Sequence, residues 1–352
     1  MKRQLLGVAA ILLSISTYAQ DNPLWMRYCA ISPDGTTIAF TYKGDIYTVP
    51  STGGRASQIT TNPAHDTKPI WSPDGKKIAF ASDRMGSMDI FEVNKEGGIP
   101  KRLTTHSGNE TPVAYKDAGH ILFLANIMPT AEDAQFPSGQ FQQVYEVNTE
   151  GGRPILFSSM PMEDISINHT GNTLLYHDKK GYEDPWRKHH TSSITRDIWL
   201  CSLNGNRTFR KQTTFNGEDR TPVWASDDKS FYYLSEEKGS FNIFKRDIDG
   251  NTSKQITNHT KHPVRFLSAA SNGTLCYGYD GEIYTVKEGA IPQKVQISIV
   301  TDKNDKDLIR QIKRSGATEI SLSPDAKEIA FVLRGDVYVT STEYSTTKQI
   351  TN

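Results

Sequence analysis

The sequence predicts an all-β protein that is built from repeated four-stranded units. First, residues 31–60 and 71–104 share one order of features: S-P-D-G, an alternating apolar run, Asp-Ile-aromatic, a glycine-rich turn, and a final Leu/Ile-Thr. Second, weaker copies of this unit recur along the rest of the chain. Third, the runs are short, rich in β-branched and aromatic residues, and separated by turn residues, which favours strands over helices.

The aromatic residue that ends the second run of each unit marks the repeat. Its copies lie about 40 to 57 residues apart, at Phe40, Phe80, Phe123, Tyr176, Tyr233, Tyr277 and Phe331. A four-stranded unit of about 40 residues is typical of a β-propeller blade. The sequence therefore predicts a β-propeller.

The second unit predicts the four strands of a blade most clearly. We expect strand A at about 68–72, B at 77–82, C at 89–94 and D at 100–104. Pro73 suits the first central position of a β-turn and Gly75 accepts a positive φ, so S-P-D-G is predicted to be a hairpin turn.

Two sets of aspartates recur at fixed positions of the unit. In the S-P-D-G turns we expect hydrogen bonding within the turn rather than metal binding, because Asp favours such turns for backbone reasons; these residues are Asp34, Asp74 and Asp325. At the start of strand C we expect structural residues that accept backbone hydrogen bonds; these are Asp45, Asp89, Asp197 and Asp336.

Residues 1–19 predict a cleaved secretory signal peptide. Lys2 and Arg3 precede an apolar run, and the small residue Ala19 ends the segment. The run is too short to cross the ~30 Å of a bilayer as a helix. We therefore expect a periplasmic or secreted protein that does not insert into a membrane after cleavage.

The remaining chain divides into a six-unit region, a linker and a seventh unit. Residues 20–300 hold the six units, 301–316 form a charged linker, and 317–352 form the seventh unit. A blade buries its faces only against neighbours. Either all seven units therefore form a single seven-bladed propeller, or the chain is the beginning of something longer. Each of the six units begins with a strand A and ends with a strand D, so no terminal strand is left to complete another blade. We therefore expect side-chain packing between the first and sixth blades to close a six-bladed ring.

Composition excludes some functions. Lysine and arginine number 40, as do aspartate and glutamate, so the chain lacks the basic surface of a nucleic-acid-binding protein. The three cysteines, Cys29, Cys201 and Cys276, lie in apolar runs and are expected to be buried free thiols. The alternative is that two of them form a disulfide.

Catalytic and metal-binding patterns do not occur in the sequence. It contains no G-x-S-x-G, and its histidines are scattered, so we predict no catalytic residue and no cofactor. His189 and His190 could gather a metal with His177 and Asp178 in a folded-back loop. Because the ligand spacing of zinc sites is missing, we predict no metal site.

Loop lengths indicate a candidate binding face. Only the third and fourth units carry long B-to-C insertions, 126–140 and 179–196, and in a blade these loops share one end with the D-to-A loops. Loops on a rigid scaffold often carry function. The candidate binding residues are Glu183, Asp184, Trp186, Arg187, Lys188, His189, His190 and Arg196. Core or blade-packing positions are expected for Trp25, Trp71, Trp199 and Trp224.

The repeat resembles that of the TolB propeller and of several exported peptidases. More specifically, six units, the fourth carrying "YEDPWRKHHTSSITRDIW", are followed by a charged linker and "ATEISLSPDAKEIAFVLRGDVYVTS". This order resembles the N-terminal part of the tricorn-like serine peptidases over essentially the whole mature chain. The resemblance implies a six-bladed propeller, then a seven-bladed one, a PDZ domain and a catalytic core. On this interpretation residues 20–300 form a six-bladed ring, 317–352 form the first blade of a second, truncated propeller, and the catalytic core lies outside the 352 residues.

The resemblance implies a non-catalytic propeller portion that gates or docks peptide or protein substrates, with a possible homo-oligomer in the full-length form. One alternative is a stand-alone TolB-like periplasmic propeller that acts as a protein-interaction scaffold. Another places the propeller in front of an α/β-hydrolase, as in relatives of prolyl oligopeptidase.

Overall fold

The computed structural model describes residues 23–127, 141–180, 184, 186–187, 194–300 and 313–351, and the described part is all β. None of it forms a helix that is long and apolar enough to cross a membrane. The first three units contain Arg27–Ile31 (β1), Thr37–Tyr42 (β2), Asp45–Pro50 (β3), Gly54–Arg55 (β4), Ser57–Gln58 (β5), Asp66–Trp71 (β6), Lys77–Ser82 (β7), Asp89–Asn94 (β8), Lys101–Arg102 (β9), Thr111–Asp117 (β10), His120–Ala125 (β11), Gln143–Asn148 (β12) and Ile155–Ser158 (β13).

The next three units and the seventh unit continue the pattern. Units four to six contain Glu163–Ile167 (β14), Thr173–His177 (β15), Ile198–Ser202 (β16), Thr208–Lys211 (β17), Asp219–Trp224 (β18), Ser230–Ser235 (β19), Asn242–Asp247 (β20), Ser253–Gln255 (β21), Arg265–Ala269 (β22), Leu275–Tyr279 (β23), Glu282–Val286 (β24), Gln293–Lys294 (β25) and Ile297–Ser298 (β26). The seventh contains Ile320–Leu322 (β27), Glu328–Leu333 (β28), Asp336–Ser341 (β29) and Thr347–Gln349 (β30). Each unit forms one four-stranded sheet of antiparallel neighbours, in the order of the chain.

The S-P-D-G segments are hairpin turns, as predicted. In the second unit β7 and β8 begin and end at the predicted residues, whereas β6 begins earlier, at Asp66. The Asp74 carboxylate accepts hydrogen bonds from the Ser72 hydroxyl at 2.7 Å and the Lys76 N–H at 3.1 Å. The hydrogen bond from Ser72 is the main cause that lowers the pKa of Asp74. The aspartate therefore acts within the turn.

A threonine at the end of five of the described units closes the blade. The Thr60 hydroxyl oxygen accepts a hydrogen bond from the Ile46 N–H at 2.9 Å, next to the aspartate that starts strand C. The same bond joins Ile90 to Thr104, Ile198 to Thr213, Ile243 to Thr257 and Val337 to Thr351. The strand-C aspartates are structural, but their partners are side chains rather than the expected backbone groups: Asp336 accepts from the Thr351 hydroxyl and Asp89 pairs with Arg102.

The hydrophobic core lies between neighbouring sheets. Ala39 and Ile46 of the first sheet pack with Ile78 and Phe80 of the second in one buried cluster. Phe80 is fully buried, and its truncation to Ala would cost about 3 to 5 kcal/mol. Each sheet thus covers the faces of its neighbours, as the blades of a propeller do.

The inner strands of six sheets contact one another in a closed cycle. β1 contacts both β6 and β22, and the cycle continues through β10, β14 and β18. β26 also pairs in parallel with β4, where the Gly54 N–H donates to the Gln296 carbonyl at 2.8 Å. The expectation of closure by side-chain packing alone was therefore wrong, because main-chain hydrogen bonds also join the first and sixth units.

The seventh sheet lies outside this cycle. Its second strand, β28, is only half-buried, whereas the equivalent β2 is buried along most of its length. Ile320 is 71% exposed and Leu322 is 57% exposed. Arg334 donates to the carbonyl of Pro63 in the first-to-second unit loop, at 3.3 Å. The assignment of residues 317–352 to a second propeller stays a prediction.

Candidate functional site

Inner strands of the ring carry β-bulges near their first residues. The register between strands A and B shifts there in all six sheets of the ring. Five bulges contain a non-glycine residue with φ near +50°: Tyr28, Lys68, Asp164, Thr221 and Phe266. A bulge of this kind re-aims a side chain, and such strained residues often occur at functional sites.

The bulges lie at the end of the ring that carries the B-to-C loops. Arg27 at the start of β1 pairs with Thr41 near the end of β2, and Glu163 at the start of β14 pairs with His177 at the end of β15. We call this end of the ring, with the described part of the fourth unit's insertion, the ring mouth.

Trp186 of the fourth unit's insertion reaches the first and sixth units at the ring mouth. Its ring lies 4.9 Å from the guanidinium carbon of Arg27 and 4.9 Å from that of Arg265. Phe266 meets it edge-on, with the ring centroids 5.9 Å apart. The Trp186 carbonyl also accepts a hydrogen bond from Arg265 at 2.8 Å. The insertion therefore bridges three units of the ring.

A turn sets the direction of Trp186 and of the next residue, Arg187. The Asp184 carboxylate accepts a hydrogen bond from the Trp186 N–H at 2.8 Å, and its carbonyl accepts one from the Arg187 N–H at 3.3 Å. Trp186 faces Arg27 and Arg265, while Arg187 is buried against the fifth unit.

Arg187 belongs to a buried ion-pair cluster. Its guanidinium pairs with Glu236 at 2.8 Å and with Glu218. Glu218 also pairs with Arg196 at 2.8 Å. Burial would raise the pKa of Glu218, but the charges of Arg220, Arg196 and Arg187 hold it below its ordinary value. The cluster anchors the insertion to the fifth unit, and the buried carboxylate of Glu218 is shared by Arg187 and Arg196.

A second cluster surrounds Glu163 at the start of β14. Glu163 pairs with His177 at 3.2 Å and with Lys179 at 2.8 Å. Burial would raise the pKa of Glu163, but the hydrogen bond and charge of His177, followed by those of Lys179, lower it well below its ordinary value. Among the residues that the structure describes, no group of three or more His, Cys, Asp and Glu side chains is arranged to hold a metal ion.

The predicted binding residues separate into three groups. Trp186, Arg187 and Arg196 come together at the ring mouth, with Arg187 and Arg196 buried. Asp184 is exposed and stabilises the turn. Glu183, Lys188, His189 and His190 lie outside the described residues.

Other residues at the ring mouth were missed or misassigned. Trp25, expected in the core, is 57% exposed and contacts Arg27, whose guanidinium carbon lies 5.7 Å from the ring centroid. Arg27 and Arg265 were not identified as candidates. A signal for them exists in the repeat, because both arginines stand at the equivalent first position of strand A, where the fourth unit has Glu163.

The arrangement at the ring mouth suits a carboxylate ligand. Arg27 and Arg265 hold their guanidinium groups against one aromatic ring, and guanidinium groups bind carboxylates bidentately. Burial, together with the charge of Arg220, lowers the pKa of Arg265 to about 10, so Arg265 still carries its charge at neutral pH. Trp186 covers both guanidinium groups, and its displacement would make them accessible to a ligand.

Comparison with known proteins gives one consistent family. Residues 23–290 match the family described as the tricorn protease N-terminal beta propeller domain. Tricorn protease homolog 1 of Streptomyces coelicolor is 25% identical over 281 residues, covering 79% of this chain and 25% of that protein. The tricorn protease homolog of Saccharolobus solfataricus is 27% identical over 295 residues, covering 80% of this chain and 26% of that protein.

A solved structure has the same fold. A crystal structure of the tricorn protease superimposes with a TM-score of 0.64 at 21% identity, covering 93% of this chain and 31% of that chain. The 352 residues thus match about a quarter of the length of the two curated relatives.

Proposed function

The chain belongs to the tricorn protease N-terminal β-propeller family, and from this premise we propose that it is the non-catalytic propeller portion of an exported serine peptidase. In this proposal the ring mouth gates or docks peptide substrates, and hydrolysis takes place in a catalytic core outside these 352 residues. Export through the N-terminal signal peptide, and assembly of the full-length protein into a homo-oligomer, are parts of the same proposal.

One observation carries the proposal: Trp186 of the fourth unit covers Arg27 of the first unit and Arg265 of the sixth. These residues belong to units on different sides of the cycle of inner strands. A side chain that reaches across the ring at this end obstructs passage through the mouth. Its displacement would open the mouth and expose two cations.

The contacts of Trp186 suit a gate rather than a permanent closure. Each cation–π contact at a partly exposed site contributes about 0.5 to 1 kcal/mol. Trp186 itself is 37% exposed, so solvent reaches the ring. The buried ion pairs of Arg187 fix the backbone beside Trp186, whereas the tryptophan ring is held, among the described residues, by aromatic and cation–π contacts alone. A peptide carboxylate that pairs with Arg27 and Arg265 would compensate for the lost aromatic contacts.

Peptide binding by the 352-residue chain tests the proposal. We would follow the fluorescence anisotropy of a fluorescein-labelled hexapeptide with a free C-terminal carboxylate, and of the same peptide with a C-terminal amide. The carboxylate form is expected to bind more tightly. Trp186→Ala is expected to increase the association rate about fivefold, because about 1 kcal/mol of aromatic contact no longer opposes opening.

Tyr344→Ala is the matched control, since Tyr344 is an exposed aromatic residue in the turn between β29 and β30 of the seventh sheet, which lies outside the cycle of inner strands. It should bind both peptides like the unmodified chain. Equal association rates for Trp186→Ala and the unmodified chain would reject the gate. Peptide cleavage by the unmodified chain that a serine-directed inhibitor abolishes would reject the non-catalytic role.

A further inference from the structure

Two of the three cysteines meet at the junction between the first and sixth units. Cys29 lies on β1 and Cys276 on β23, and both thiols are buried in one core cluster that the two units share. Ser268 lies close to both cysteines: its hydroxyl oxygen is 3.5 Å from the carbonyl oxygen of Cys29 and 3.5 Å from that of Cys276. The two thiols are close enough for Cys29 to act as a hydrogen-bond partner of Cys276.

The junction where they meet is the place where the chain closes its ring. Most neighbouring sheets are joined by a direct continuation of the chain, whereas the first and sixth are joined by packing and by the short pair of β4 and β26. Ser268 supports the same junction, because its hydroxyl accepts a hydrogen bond from the Ile31 N–H at 3.0 Å. A covalent link here would tie the two ends of the ring together.

We propose that Cys29 and Cys276 are a disulfide-forming site that locks the first unit to the sixth. Oxidation converts the two thiols to one S–S bond and releases two protons and two electrons. The electrons reduce a disulfide of the oxidant, which leaves as two thiols; the oxidant belongs to the class of small-molecule or protein disulfides. The reaction is thiol–disulfide exchange through a mixed disulfide.

Because both thiols are buried, the reaction depends on exposure of the junction. Burial, followed by the hydrogen bond and charge of Cys29, raises the pKa of the Cys276 thiol well above its ordinary value. Exchange requires a thiolate and access for the oxidant. The bond therefore forms while the chain folds, or when the junction opens, and the closed reduced ring reacts slowly.

Cys201 provides an internal control. It is buried in a different cluster, between the third and fourth units, and burial raises the pKa of its thiol. A disulfide that joins Cys29 to Cys276 encloses most of the described chain. Links that close long loops restrict the unfolded state most, so we expect a rise in unfolding temperature of about 5 to 10 °C.

The test uses the 352-residue chain itself. Reduced, folded protein is held just below its unfolding midpoint with oxidised glutathione, and a matched sample is held with dithiothreitol. We expect the number of thiols titrated after denaturation to fall from three to one. Non-reducing peptide mapping should find the Cys29 peptide joined to the Cys276 peptide, and calorimetry should find a higher unfolding temperature in the oxidised sample.

Variants separate the proposal from unspecific oxidation. Cys201→Ala should still form the bond, and Cys276→Ala should form none. Three free thiols in the oxidised sample, a bond to Cys201, or glutathione adducts alone would overturn the proposal. If a variant fails to fold, non-reducing peptide mapping of the unmodified chain is sufficient to test the proposal. Because the readout is covalent, its outcome is independent of whether the ring mouth binds peptides.

Discussion

The guanidinium of Arg187 lies 2.8 Å from the Glu236 carboxylate, measured from Nη1 to Oε2, although the two residues belong to different units of the ring. Both side chains are buried, and Glu236 also accepts a hydrogen bond from the backbone N–H of Glu218. The pair fixes the insertion of the fourth unit to the B-to-C loop of the fifth. The position of Trp186 depends on this attachment, because Trp186 is the neighbouring residue.

Arg187→Ala should lower the free energy of unfolding by about 2 kcal/mol. Removal of one partner from a buried ion pair leaves a buried charge without compensation. The loss is smaller than for an isolated pair, since Arg196 still neutralises Glu218. Urea denaturation measures the change. Arg210→Ala, which breaks an exposed pair with Asp249, is the control and should change the free energy by about 0.5 kcal/mol or less. Equal losses in the two variants would contradict the role of Arg187.

Thr257 should matter through its hydroxyl rather than its volume. The hydroxyl oxygen accepts a hydrogen bond from the Ile243 N–H at 2.9 Å, and the hydroxyl donates to Asn242 at 2.9 Å. Thr257→Val keeps the shape but leaves a buried N–H without its acceptor, at a cost of about 2 kcal/mol. Thr257→Ser keeps both bonds and loses one methyl group, at about 1 kcal/mol. The midpoints of urea unfolding should therefore rank Val below Ser. The reverse order would show that packing dominates.

Glu110 should make the protein less stable as the pH rises from 5 to 8. Burial, with a contribution from the charge of Asp89, raises the pKa of Glu110 from 4.5 to about 7. Between these values the unfolded chain has released the proton while the folded chain still holds it, so stability falls as the pH rises and levels off above the folded pKa. Glu110→Gln removes the titration, and its stability relative to the unmodified chain should increase by about 2 kcal/mol between pH 5 and pH 8. Urea denaturation at both pH values measures this, and a pH-independent difference would exclude the buried carboxyl as the cause.

The sequence predicts most of the sheets because their signals are local. Alternating apolar residues and the S-P-D-G turn determine β7 and β8 to the residue. The contact of Trp186 with Arg27 has no local signal, since it joins residues of the fourth and first units that lie far apart in the sequence. The pairing of β4 with β26 was missed for a different reason: each strand has two residues, too few for a periodic pattern.

Gly53 should be needed for ring closure. It has a φ of +92°, and a Cβ at this position would lie 2.6 Å from the carbonyl oxygen of Gln296, next to β26. Gly97 occupies the equivalent turn of the second unit with a φ of +94°, but its nearest neighbour would be an ordinary 3.6 Å away, at the Ile59 carbonyl. The positive φ lowers the free energy of unfolding of both alanine variants by about 1 kcal/mol.

The difference between Gly53→Ala and Gly97→Ala therefore isolates the clash with the closing strand. We expect Gly53→Ala to lose at least about 1 kcal/mol more, because the Gly54 N–H can no longer reach the Gln296 carbonyl without a shift of the backbone. Amide hydrogen exchange should show faster exchange in β1 and β22, and unchanged exchange in β10, on the far side of the cycle. If both variants exchange alike throughout the ring, the β4–β26 pair contributes nothing to closure, and the other contacts between the first and sixth units, such as the hydrogen bond from the Ser271 N–H to the Pro33 carbonyl, hold the ring.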